Sequence, residues 1–295
     1  MSTISYYEAI AAHYDAIFPL SPITLEFLAA QAGDAHAAVA DIACGNAAYA
    51  LALAERGFRV TAVDLDVGML AAAREKISDA DVAERLLLLE GDMLALDELE
   101  LEPSDLLFCI GNSLVHLPDP KAMGRFLSKA RAVIKPGGRL VLQVINYDRV
   151  IGKGLPGLPT LSNEAASLTF ERMYKPLYEP SESHPDKPSD MLSVEPSVEP
   201  SVEPSVEPSD KPSDKAFKPA LTPGSVFTFH TRLKVKGKTW ESRIPLYPLL
   251  SEELTSLLAQ TGFQDVRLFG DFRQSPFVPD ESYALIAVAA PITSV

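Results

Sequence analysis

Three acidic residues at the ends of successive apolar runs carry the first chemical signal in this chain. In "VADIACGNAAYA" (39–50), Asp41 and Gly45 stand where an apolar run gives way to a helical pattern. In an open α/β sheet a nucleotide-type ligand belongs there, beyond the carboxyl ends of the strands. Asp64 closes "RVTAVD" (59–64), nineteen residues beyond Gly45. That is close to the offset at which an acid on a second strand reaches a ribose diol. Asp92 and Met93, in "EGDM" (90–93), close a third run. An acid there can accept from an exocyclic adenine amine, while Met93 offers backbone and soft packing. The close glycines of G-x-G-x-x-G are missing, so a pyrophosphate has no cradle, and Asp41 would face one unfavourably. A cofactor with a cationic centre and an adenosine, but no phosphate, suits the series.

The elements that must position these residues follow from periodicity. Continuous apolar runs at 39–44, 59–64, 85–91, 105–111 and 139–145 alternate with helical patterns at 47–57, 67–77 and 120–138. Asp66 is placed to cap the second of these helices. Repeated β-α-β with unbroken apolar strands implies a parallel sheet covered on both faces. Beyond residue 150 the runs 167–174, 225–235 and 238–247 alternate in period two, as antiparallel strands do, with Lys236-Gly237 at a tight turn. A helix at 250–262 with Ser251 as N-cap and Gly262 as its stop follows. Runs at 265–272 and 282–290 complete the sheet.

Between the antiparallel runs, "SVEPSVEPSVEPSVEP" (193–208) repeats one tetrad four times. Proline at every fourth residue forbids a regular ladder, and little apolar surface is available to offset ordering entropy. The segment 180–222 is therefore expected to be an extended, solvated loop. The whole chain has 295 residues, 47% hydrophobic and 22% charged, with a net charge of −14. This argues against a broad nucleic-acid footprint, which needs clustered Lys and Arg. Cys44 and Cys109 make neither a disulfide framework nor a zinc site, and no metal site is expected. The N-terminus lacks a basic region followed by a long apolar one, and no stretch is apolar enough to span a membrane, so a cytoplasmic location is expected.

With "VADIACGN", "VTAVDLDVGML", "EGDM" and "IKPGGRLVL" in place, the chain resembles the class I S-adenosylmethionine-dependent methyltransferases from about residue 5 to 290, outside the insert. "CIGNSLVHLPD", "NYD" (146–148), "LYP" (246–248) and "GDF" (270–272) resemble the glycine N-methyltransferase branch and its small-molecule relatives. The resemblance implies an α/β, doubly wound seven-stranded sheet of order 3-2-1-4-5-7-6, with the last strand antiparallel and an inserted antiparallel β lid. It divides the chain into an N-terminal helical cap (1–35), a Rossmann-like cofactor domain (36–150 and 248–295) and a lid (151–247). S-adenosylmethionine is the implied cofactor. Its expected contacts are Tyr14, Asp41, Ala43, Gly45, Asp64, Leu65, Asp92, Met93 and Ile110. The family's third motif glycine is Ala47 here. Ile145 stands where glycine-methylating members carry an Arg for the substrate carboxylate; Arg149, Arg172 or Arg243 could replace it.

Near the methyl group the resemblance points to Asn112 as substrate-facing. His116 is either a general base or a structural imidazole orienting its loop, and Tyr147 either a pocket residue or a packing aromatic. The expected function is methyl transfer to a small molecule, an amine or amino-acid-like compound. The competing reading is a cofactor-binding regulatory or interaction protein without transferase activity. Nucleic-acid methylation is disfavoured by charge and by the lack of a base-flipping motif after the fourth strand. The oligomeric state is open.

Overall fold

The computed structural model describes residues 6–77, 80–176 and 226–292. Two helices, α1 (Tyr6–Ile17) and α2 (Pro22–Ala32), precede β1 (Ala38–Ile42). Then follow α3 (Ala48–Glu55), β2 (Arg59–Asp64), α4 (Val67–Lys76), α5 (Ala80–Ala83), β3 (Leu86–Glu90), β4 (Ser104–Cys109), α6 (Pro120–Val133), β5 (Ile134–Ile145) and α7 (Tyr147–Gly152). Strands β6 (Gly157–Asn163), β7 (Leu168–Pro176), β8 (Phe227–Val235) and β9 (Lys238–Leu246) form a second sheet. The chain ends with α8 (Ser251–Gln260), β10 (Phe263–Phe269) and β11 (Ala284–Pro291). The repeat segment expected to be a solvated loop lies outside the described residues.

The main sheet runs β3-β2-β1-β4-β5-β11-β10, which is 3-2-1-4-5-7-6 counted within that sheet. Strand β11 is antiparallel to both β5 and β10. The unbroken apolar runs have a simple cause: both faces are covered. Val39, Leu106, Phe108, Val141, Ile286 and Val288 pack with α2 and α3. Their alternates Ala40, Leu107, Cys109, Leu140, Leu142, Leu285 and Ala287 pack with α6 and α8. Asp66 caps α4 by accepting from Met69 N at 2.9 Å, as its position predicts. Chain order reverses between β1 and β4, which places a crevice beyond their carboxyl ends.

The second sheet is antiparallel throughout, in the order β6-β7-β8-β9. Lys236 (φ 47°) and Gly237 (φ 81°) turn β8 into β9, the two left-handed residues a tight hairpin requires. One end of this sheet rests on the N-terminal helix, where Leu168, Phe170, Leu233 and Val235 meet Ala9, Ile10 and Ile17. The other end enters the main core through Tyr174, Phe227 and Leu246. The sheet thus bridges from α1 to the exit of β5.

Two local expectations need correction, and one strand was not expected. Ser251 is not an N-cap: Leu250 holds that position, and the Ser251 N–H donates to Asp148 Oδ2 at 2.9 Å, so a carboxylate from α7 serves the helix instead. Helix α6 stops at Val133 instead of running to the Pro-Gly-Gly turn. Pro136 disfavours helix at Lys135, and Ile134 already pairs with Ser104. Strand β6 escapes period-two reading because Pro159 interrupts it, which an edge strand tolerates. Among the described residues no helix is long and apolar enough to cross a membrane, and no cluster of three or more His, Cys, Asp or Glu could hold a metal ion.

Asn146 ties the exit of β5 to the segment before β11. Fully buried, it donates from Nδ2 to Pro279 O and Ser282 O at 2.8 Å each, and its Oδ1 accepts from Arg149 N at 3.2 Å. Asn146→Ala leaves two carbonyls without this donor and removes the cap of α7. The expected cost is about 2–4 kcal/mol in urea unfolding; a loss below about 1 kcal/mol would contradict this role.

Candidate active site

Beyond β1 the chain turns into α3 through alternating left-handed residues: Ala43 (φ 59°), Gly45 (φ 57°) and Ala47 (φ 56°). For alanine this conformation costs about 1–2 kcal/mol, so other contacts must hold it. The Cys44 N–H donates to Val63 O at 3.0 Å, and the Gly45 N–H donates to Asp64 Oδ2 at 2.6 Å. The other Asp64 oxygen, Oδ1, accepts from Asp66 N at 2.8 Å. One carboxylate therefore fixes the loops after both β1 and β2. Desolvation raises its pKa, and the backbone donors oppose that rise.

Tyr14, on α1, lies over this loop. A Cβ built on Gly45 would sit 3.3 Å from the Tyr14 hydroxyl, so the backbone approaches the ring as only glycine allows. Helix α1 is docked through Asp15, which accepts from Asn46 Nδ2 at 2.8 Å and pairs with Lys76 at 2.7 Å. Asn46 is buried, and its Oδ1 has no partner among the described residues. Burial, then Asp41 and Asp64, push the Tyr14 phenol up to about 12. Asp41 is wholly buried. Desolvation first, and Asp64 second, raise its carboxyl well above the usual range.

Leu65 and Val67 follow Asp64 with 69% and 59% of their surfaces exposed, an apolar shelf beside a carboxylate. At the neighbouring strand end, Asp92 is exposed and its Oδ1 caps the short turn Met93–Ala95, accepting from Leu94 N at 2.8 Å. Met93 is half-buried against the core. The groups acting electrostatically on Tyr14 are Asp41, Asp64, Cys44 and Tyr49, with no base among them. This set fits a cationic adenosyl compound: acids for the positive centre and ribose, an apolar shelf for a base, a close-approach glycine. It does not fit a phosphate.

A second cluster forms where β4 empties, on the other side of β1. Gly111 (φ 81°) and Asn112 (φ 72°) turn the chain after the half-buried Ile110. The Gly111 N–H donates to Gln143 Oε1 at 2.7 Å. Asn112 Oδ1 accepts from Ile145 N at 2.9 Å, and its Nδ2 donates to the Tyr147 hydroxyl at 3.0 Å. Asn112 thus spends its amide joining the exits of β4 and β5. Tyr147 is fully buried, packed against Tyr174 and Phe227 with ring centroids at 6.2 and 5.7 Å. His116 lies at the far end of the turn Ser113–His116; its side chain is partly exposed, and desolvation lowers its basicity.

The chain therefore brings Tyr14, Asp41, Ala43, Gly45, Asp64 and Leu65 together, sets Asp92 and Met93 beside them, and places Ile110, Asn112 and Tyr147 in a neighbouring group. His116 stands apart. Sequence reasoning missed Gln143 and Tyr283, which reach this edge from β5 and from just before β11. Gln143 is the polar interruption of an apolar strand, a signal that was legible.

Because burial raises the Asp41 carboxyl, the folded protein keeps that proton to higher pH than the unfolded chain does. Stability falls as pH rises above the ordinary carboxylate range, until the folded group itself ionises. Asp41→Asn should stabilise the cofactor-free protein by about 1 kcal/mol or more at pH 8, with a smaller gain at pH 5. Thermal melts at both values check this; no gain at pH 8 would contradict it.

Residues 39–138 match a family described as a methyltransferase domain. The glycine N-methyltransferase of Oryctolagus cuniculus is 32% identical over 127 residues, covering 39% of this chain and 43% of that protein. The ubiquinone biosynthesis O-methyltransferase of Xylella fastidiosa (strain M23) is 33% identical over 129 residues, covering 43% of this chain and 49% of that protein. The chain thus spans less than half the length of these curated relatives. Over its whole length the fold is similar to the CcbJ methyltransferase of Streptomyces caelestis, with a TM-score of 0.69 and 19% identity, covering 99% of this chain and 100% of that one. The motif series, the strand order and the matched domain agree: residues 39–138 carry a methyltransferase domain, set in a sheet of the class I S-adenosylmethionine-dependent methyltransferase order, and S-adenosylmethionine is the cofactor this arrangement takes.

Proposed function

We propose that the protein transfers a methyl group from S-adenosylmethionine to a small molecule, an amine or amino-acid-like compound. The observation that carries this reading is a juxtaposition. The loop held by Asp64 and the exit of β4 at Gly111 lie side by side where the sheet's order reverses, with the second sheet bridging above them. The likeness to a glycine N-methyltransferase supports an amine acceptor.

When bound, the cofactor supplies an electrophilic methyl on a sulfonium, attacked in line by a nucleophile. This chain's residues then have four tasks. Asp64, Leu65, Asp92 and Met93 hold the adenosine end, with Asp41, Ala43, Gly45 and Ile110 beside the cationic end. Tyr14 covers the loop and keeps water from it, which strengthens every charge interaction inside. Asn112 and Tyr147 act as a positioning pair: they fix the β4 and β5 exits relative to each other, and alignment supplies much of the rate enhancement. His116, exposed at the far end of the turn after β4 and lowered in basicity by desolvation, orients that turn.

Incubation with methyl-labelled cofactor and pooled small metabolites tests the reading. Label should pass to a small compound; binding of cofactor without transfer would favour a regulatory binding protein. Asp64→Ala should raise the cofactor dissociation constant at least tenfold, about 1.4 kcal/mol. Unchanged affinity by calorimetry would contradict the assignment.

A further inference from the structure

Strand β5 carries one polar side chain among buried apolar ones. Leu140, Val141, Leu142 and Val144 are buried, while Gln143 is half-buried and pairs across to Ile286 of β11. An amide set among apolar neighbours costs free energy unless its polar atoms are hydrogen-bonded. Both oxygens of Gln143 serve the turn after β4. Its side-chain Oε1 accepts from Gly111 N at 2.7 Å, and its backbone carbonyl accepts from Asn112 N at 3.2 Å. A backbone N–H can only donate, so the amide atom facing Gly111 is the oxygen. Gly111 and Asn112 are consecutive left-handed residues, φ 81° and 72°, a path that needs support where a side chain is present.

The bond to Gly111 fixes more than one amide. The Ile110–Gly111 peptide is planar and trans, so its C=O and N–H point in opposite directions. With the N–H turned to Gln143 on β5, the Ile110 carbonyl points away from β5. On that other side the neighbour of β4 is β1, whose exit loop holds Ala43 and Gly45. Ser113 Oγ donates to the Ile110 carbonyl at 3.2 Å and leaves its second lone pair open. There is room beside it: Gly111 is exposed, and a Cβ built there would meet nothing within 4 Å. Asn112 cannot take over this place, because its Oδ1 and Nδ2 are engaged with Ile145 N and the Tyr147 hydroxyl. A carbonyl with an open lone pair suits a cationic donor, and a charged donor strengthens the bond roughly twofold.

We propose that Gln143 is a positioning residue: by taking the Gly111 N–H it aims the Ile110 carbonyl at the amino-acid ammonium of the bound cofactor. This rests on the methyltransferase reading and adds to it a residue of β5 that acts through the β4 exit.

The test uses the full chain and two probes: S-adenosylhomocysteine, which carries the amino-acid end, and methylthioadenosine, which lacks it. Dissociation constants are measured by calorimetry for the wild type, Gln143→Met and Gln143→Glu. Met keeps the length of the side chain but offers Gly111 no oxygen; Glu keeps the oxygen and loses the amide donor. Gln143→Met should weaken S-adenosylhomocysteine at least fivefold and leave methylthioadenosine within twofold, which also certifies folding. Gln143→Glu should bind S-adenosylhomocysteine no more than twofold more weakly than the wild type. If Gln143→Met binds neither probe, Gln143→Ala takes its place in the same comparison. Loss of both probes there too would overturn the proposal, because the residue then supports the fold and not the carbonyl. Unchanged S-adenosylhomocysteine affinity in Gln143→Met, or equal losses for the two probes, would also overturn it. So would a Glu variant as weak as the Met variant, which would make the amide nitrogen a ligand contact. A wild type that binds neither probe contradicts the methyltransferase reading instead, and is seen before any variant is compared.

Discussion

The arrangement at the carboxyl edge depends on one carboxylate. Asp64 accepts from the backbone of the loop after β1 and from the backbone of the turn after β2. Hydrogen bonds to a charged acceptor contribute about 1.5–3 kcal/mol each, enough to offset left-handed alanines at 43 and 47. That loop is the surface on which Tyr14 lies, and Asn46 within it anchors Asp15 of the same helix. Loss of the carboxylate would therefore loosen the loop and the helix above it together. Under the proposed function the same acid also meets the cofactor's ribose, so that one group both shapes the site and faces its ligand.

A second constraint works through neutral groups. Asn112 and Tyr147 join the exits of β4 and β5 by side-chain bonds in a buried setting. Tyr147 then supports Tyr174 of the inserted sheet, and the same β7 face continues through Arg172 to Phe170 and the N-terminal helix. The inserted sheet is thereby seated at both ends, on aromatic contacts and not on its surface ion pairs, which are exposed and contribute little. A cavity between two seated layers keeps its shape, which is what positioning of a small acceptor requires.

Much of this was legible in the sequence, and for physical reasons. A parallel sheet covered on both faces follows from unbroken apolar runs separated by helical patterns, while its strand order was what the family resemblance implied. Asp66 and Lys236-Gly237 act through neighbours within three residues, so their chemistry is local. What was not legible depends on distance. Asn112 reads as a free polar group at a strand end, yet its partners are 33 and 35 residues away. Ser251 reads as a cap, but Asp148, 103 residues earlier, takes that task. Tyr283 likewise reaches the carboxyl edge only because β11 pairs with β5, more than a hundred residues earlier in the chain.

The central claim is that cofactor and acceptor share the edge between the Asp64-held loop and the β4 exit. A crystal structure of the full chain with S-adenosylhomocysteine tests it most directly. The account predicts density for the nucleoside over Leu65 beside Asp64, with its sulfur end toward Gly111 at the β4 exit. Nucleoside density at any other edge of the sheet, with Asp64 untouched by ligand, would contradict it.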